Sequence, residues 1–191
     1  MLEPVLITAV VTGVLERLHV RYLICGSFAS TLYGMVRTTL DSDIVAELGR
    51  EHVEEFVGEL RSEFYIDEEM ITASIAQQSS FNIIHRESFF KVDVFIPAIR
   101  PFVEEQLARA QRQILSIEPR VEAFVATPED TLLAKLEWYC IGGDVSERQW
   151  RDVLGILKVQ GDRLDFDYLR KWAELLKINN LLDRALIEAT I

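Results

Sequence analysis

The chain has 191 residues, enough for one domain or one domain with a compact appendage. Hydrophobic residues make up 49% and Gly and Pro are few, which excludes collagen-like and disordered chains, because burial of that much apolar surface offsets the entropy of ordering. The net charge of −11 argues against extended DNA or RNA binding, since a phosphate backbone would be repelled.

Residues 5–18 carry a broad apolar side (Val10, Val11, Val14, Leu15, Leu18), which predicts a helix. Val20–Cys25 reads as a strand bounded by Gly26, and residues 27–35 as a short helix. Asp43–Ala46 reads as a second strand, residues 51–61 as a helix, and 68–76 as a weaker one. Phe81–His85 and Phe89–Ile96 follow as strands across a polar turn. Residues 102–112 predict a helix, and 113–117 with 120–125 a hairpin.

After Ala126 the texture changes. Thr127-Pro128-Glu129-Asp130 combines an N-cap hydroxyl, Pro at N1 and acids in the first turn, and the helix it opens ends at Gly142-Gly143. Ser146 and Gln149 have capping-box spacing and open a helix to about residue 159. Residues 165–176 and 180–189 supply two more. The first two thirds are therefore mixed α/β and the last third is helical, with residues 1–125 and 126–191 as the expected domains.

The longest stretch free of Asp, Glu, Lys and Arg, Tyr22–Val36, is too short for a membrane span. Glu3 and Pro4 ahead of the first apolar run do not fit a secretory signal, and a cytoplasmic protein is expected. Cys25 and Cys140, both in apolar sequence surroundings, make neither a disulfide framework nor a zinc site. His19, His52 and His85 lack the i,i+4 spacing of a His-based metal site.

The chemistry concentrates between Ile24 and Leu48. A strand ending at Gly26-Ser27 ahead of a helix can aim backbone N–H groups and the helix dipole at an anion, although Ser27 also serves as a plain N-cap. In Asp41-Ser42-Asp43 the two carboxylates fall on one side of a strand. Adjacent like charges favour a cation between them, and hard oxygens suit Mg²⁺ or Mn²⁺; the alternative is a solvated turn. In Lys91-Val92-Asp93-Val94-Phe95-Ile96, Val92, Val94 and Ile96 alternate inward and leave Asp93 as a lone acid on the other face. It reads either as an outer-face residue or as the third carboxylate of a two-metal phosphoryl-transfer site.

Gly-Ser, a short helix, D-x-D and a later strand acid together resemble the DNA polymerase beta nucleotidyltransferase superfamily. The wording resembles most closely the bacterial minimal and AbiEii-like toxin nucleotidyltransferases. Arg37-Thr38-Thr39-Leu40-Asp41-Ser42-Asp43 fits R-x-T-x-D-x-D, with Ser42 in place of the usual apolar residue. Asp93 matches the third motif, and Lys135 with Arg148-Gln149-Trp150-Arg151-Asp152 resembles the fourth. The resemblance spans roughly residues 20–160.

It implies an α+β fold: a polymerase-beta-like mixed sheet with flanking helices, followed by a C-terminal helical bundle. It implies an enzyme that transfers a nucleoside monophosphate from an NTP to a hydroxyl on a protein, an RNA end or a small molecule, releasing pyrophosphate. Asp41, Asp43 and Asp93 would hold two Mg²⁺ or Mn²⁺ ions, with Asp93 as general base. Gly26, Ser27, Arg37, Lys135, Arg151 and Asp152 would bind the nucleotide. Lys135 reads equally as a snorkelling helix lysine, and Arg148, Arg151 and Asp152 as surface ion-pair partners. A toxin–antitoxin or phage-defence setting, with a cognate partner protein, belongs to the same resemblance. The alternative is a non-catalytic nucleotide-binding or antitoxin-like partner module that keeps the fold.

Overall fold

The computed structural model describes residues 2–35 and 41–190. In chain order its elements begin α1 (Leu2–Arg17), β1 (Tyr22–Cys25), α2 (Gly26–Tyr33), β2 (Asp41–Ala46), α3 (Val53–Leu60) and β3 (Phe64–Tyr65). They continue with α4 (Glu68–Gln77), β4 (Ser80–His85), β5 (Lys91–Phe95), α5 (Pro101–Arg109), β6 (Gln111–Ser116) and β7 (Val121–Val125). The chain finishes in α6 (Pro128–Ile141), α7 (Glu147–Gln160), α8 (Phe166–Leu175) and α9 (Asn179–Ala189). This is the mixed sheet with flanking and C-terminal helices that the pattern implied. Among the described residues no helix is long and apolar enough to cross a membrane.

By contacts the chain divides into two compact units: Met1–Cys25 with Thr38–Ala126, and Gly26–Arg37 with Thr127–Ile191. The first holds a seven-stranded sheet in the order β3-β4-β5-β2-β1-β7-β6. β2 runs antiparallel to β1 and parallel to β5, so β2 is flanked on both sides. Strict alternation makes the two faces unlike. Ser42, Ile44, Ala46, Val92 and Val94 are fully buried on one face, in a core with Phe56, Leu60 and Ile71 from α3 and α4. On the other face α5 covers one end, where Leu107 packs in a cluster with Leu23, Ala126, Cys25 and Val45. Asp41, Asp43, Lys91 and Asp93 share that second face and are partly accessible.

The second unit packs α2 on α6 and α7, α7 on α9, and α8 on α6 and α9. Its core includes Ala29, Leu132, Leu136, Val153, Ile156, Leu169 and Leu182. The Thr127 start holds as expected: its Oγ1 accepts the Asp130 N–H at 3.2 Å and donates to Asp130 Oδ2 at 2.8 Å. Asp130 is fully buried, and Tyr168 donates its hydroxyl to Asp130 Oδ1 at 2.5 Å.

Several boundaries depart from the sequence pattern. The predicted helix over 102–112 stops at Arg109, because Gln111 and Arg112 join β6 and pair with Val125 and Phe124. Cross-strand contacts decide it: Arg112 reaches Glu122 at 3.1 Å and lies over the Phe124 ring. Phe89 sits at φ +58 in the turn, so β5 begins at Lys91. The short β3 left no periodic signal in two residues. Cys140 is exposed, which corrects the apolar setting expected for it, while the half-buried Cys25 packs against the Leu23–Leu107–Ala126 cluster as expected. His19 is exposed, while His52 and His85 are half-buried and bond to the Gly49 N–H and to Ser88.

Candidate functional site

In the sheet unit the parallel register of β2 and β5 sets Asp43 directly against Asp93, and Asp41 against Lys91. The strand period of two puts all four side chains on one face. Lys91 Nζ lies 2.7 Å from Asp93 Oδ2, with the two side chains 42% and 19% exposed. That hydrogen bond holds the Lys91 ammonium above its ordinary range against partial burial, and the charges of Asp93, Asp41 and Asp43 all add to the effect. Three carboxylates and one ammonium thus form a single electrostatic cluster. Ser42, between the two aspartates, points into the core on the opposite face.

Carboxylate oxygens are the donors a hard divalent cation prefers, so the chemistry of this set fits Mg²⁺ or Mn²⁺. As arranged, Asp93 is engaged by Lys91, and among the described residues no three His, Cys, Asp or Glu side chains are grouped to hold a metal ion.

In the helical unit a second polar group forms around α2. Gly26 opens that helix at φ +59, a left-handed conformation that a residue with Cβ adopts only at a cost. It lets a strand turn into a helix with no intervening loop. Ser27 is buried, and its Oγ accepts from Arg148 Nη2 at 2.6 Å. One turn further along α7, Asp152 pairs with Lys135 of α6 at 2.8 Å, with side chains 10% and 7% exposed. Lys135 also donates to Gln149 Oε1 at 3.2 Å, and Ser30 donates to Asp152 at 3.4 Å.

The sequence candidates therefore divide. Asp41, Asp43 and Asp93 lie on one face of the sheet unit, with Asp43 in register with Asp93. Gly26, Ser27, Lys135 and Asp152 belong to the helical unit, where Lys135 and Asp152 pair with each other. The snorkelling reading of Lys135 is overturned, because its ammonium is inside the bundle. The surface ion-pair reading of Arg148 and Asp152 gives way to bonds that cross to α2 and α6. Arg151 is exposed on α7. Arg37, Thr38, Thr39 and Leu40 lie outside the described residues. Sequence reasoning missed Lys91, whose i−2 spacing from Asp93 already placed it on the same strand face.

No family model matches the sequence, and no curated protein does. Solved structures match it. An antigenic nucleotidyltransferase-like protein from Paracoccidioides brasiliensis is 16% identical and aligns over 96% of this chain and 92% of its own, with a TM-score of 0.56. The fold is that of a nucleotidyltransferase-like protein. Two further structures align more loosely. The lincosamide antibiotic adenylyltransferase LnuA is 12% identical over 76% of this chain and 90% of its own, with a TM-score of 0.44. The antibiotic-resistance factor ANT(2'')-Ia is 13% identical over 96% and 94%, with a TM-score of 0.45.

Proposed function

We propose that this chain is a nucleotidyltransferase that moves a nucleoside monophosphate from an NTP to a hydroxyl acceptor. The observation that carries this reading is the register of Asp43 with Asp93, with Asp41 two residues away on the same sheet face. The shared fold supports it.

Asp41, Asp43 and Asp93 are the residues that would hold divalent cations. When bound, such ions neutralise phosphate charge and lower the pKa of an attacking hydroxyl. Asp93 accepts the proton of the acceptor hydroxyl, whose oxygen bonds to the α-phosphorus. The bond from that phosphorus to the bridging oxygen breaks, and pyrophosphate leaves with the electron pair. Ser27 and the first N–H groups of α2 bind terminal phosphate oxygens, with Arg37, Lys135 and Arg151 as cations. Asp152 acts through Lys135, whose ammonium it orients. The motif wording extends the reading to the AbiEii-like branch and its toxin–antitoxin setting.

Calorimetry with NTP and Mg²⁺ on wild type and on Asp41→Ala/Asp43→Ala tests the assignment. The double variant is expected to lose NTP affinity, and unchanged affinity would remove the metal–nucleotide role. Asp93→Asn is expected to keep NTP binding and lose transfer of label from radiolabelled NTP; retained turnover would take Asp93 out of the chemistry.

A further inference from the structure

Lys91 is placed by its strand rather than by chance. It opens β5, stands in register with Asp41, and lies two residues before Asp93 on the same face. Its side chain is 42% exposed and has water available to it, yet its ammonium rests on Asp93 Oδ2 at 2.7 Å. The charges of Asp93, Asp41 and Asp43 all act on Lys91, and its ammonium offsets part of the repulsion among three carboxylates on one strand face. The oxygen it occupies is one that an incoming cation would also use.

We infer that Lys91 is a tethered counter-ion that guards Asp93: it competes with free divalent cations for the carboxylate face and yields only when a nucleotide supplies additional oxygen ligands. The inference rests on the reading that this face binds metal for nucleotidyl transfer, and it adds a gate to that reading. Free Mg²⁺ or Mn²⁺ then binds weakly, and the cation loads together with the triphosphate. Lys91 is a positioning residue in this scheme, acting through Asp93.

Mn²⁺ binding at one fixed pH, followed by the electron paramagnetic resonance of the free ion, separates the possibilities. Without nucleotide, Lys91→Met is expected to bind Mn²⁺ at least about 10-fold more tightly than wild type, a difference of about 1.4 kcal/mol. Lys91→Arg keeps the charge and is expected to resemble wild type, and Lys91→Met/Asp93→Asn to lose the gain. With NTP present the gap between wild type and Lys91→Met narrows. Should Lys91→Met fail to fold, Lys91→Gln with Mn²⁺-dependent thermal shifts gives the same comparison. Equal Mn²⁺ affinities without nucleotide, in proteins that both bind Mn²⁺ with NTP, would overturn the role of Lys91 and leave the proposed function standing. Absence of Mn²⁺ binding with and without NTP would remove the metal reading and the gate with it.

Discussion

Lys91 and Asp93 meet at 2.7 Å on a partly open sheet face, whereas Lys135 and Asp152 meet at 2.8 Å inside a helix bundle. The two pairs share chemistry and length, and surroundings separate them. On the sheet, water can replace either partner, so the pair is cheap to open and suits a site that exchanges ligands. In the bundle both side chains are about nine-tenths buried, and releasing either charge would leave the other desolvated without this counter-charge. Gln149 and Ser30 also bond to that pair. The contrast assigns mobile charge to the sheet unit and fixed charge to the helical unit.

The largest effect should come from the buried pair. Lys135→Met removes the buried ammonium that pairs with Asp152 and is expected to cost about 3 kcal/mol, read from the shift of the denaturant midpoint. Adding Asp152→Leu should return most of that loss; a single-variant cost below about 1 kcal/mol would erase the contrast. Next, Tyr168→Phe removes the hydroxyl donor from the fully buried Asp130 and should cost about 2 kcal/mol in the same assay. Lys91→Met should change stability by less than about 1 kcal/mol, and a larger loss would make the sheet pair structural too.

The smallest effect is confined to alkaline solution. Burial pushes the Tyr22 phenol well above its usual range, and its hydrogen bond to Glu16 adds to the shift. The folded state therefore retains a proton that the unfolded chain gives up near pH 10. Stability is full below that pH and falls as pH rises past it. Tyr22→Phe should flatten this slope in denaturation series run from pH 8 to 11.

Strand periodicity made the sheet face partly legible in sequence. The spacing of Asp41 and Asp43 fixes a common side, and the alternation of Val92 and Val94 puts Asp93 opposite the core. It does not say that β5 lies beside β2, because register between strands far apart in sequence is settled by tertiary packing; the motif resemblance supplied that link. Lys91 was readable by the same alternation. The helical cluster was less so. Helical spacing tells which side of α7 Arg148 and Asp152 share, but what covers that side depends on a helix 121 residues away. The caps at Thr127 and Ser146 were legible, since each acts on a neighbour three positions on, whereas α2 begins at Gly26 rather than after a Ser27 cap. Gln149 shows the limit: its N–H meets Ser146 as the spacing predicts, while its carboxamide accepts from Lys135.

The helix α2 is coded early in the chain and housed late. It packs on α6 and α7, and its exit at Gly34 runs so near α7 that an added Cβ would stand 3.1 Å from the Ile156 nitrogen. During translation at about 5–20 residues per second, α2 waits roughly 6–25 s for the whole of α6 and α7 to be synthesised. The helical unit is therefore completed only near the end of synthesis. A fragment cut at Ala126 would carry α2 with its packing face bare, so dissecting this protein into parts calls for removing or grafting Gly26–Arg37 rather than for a single cut.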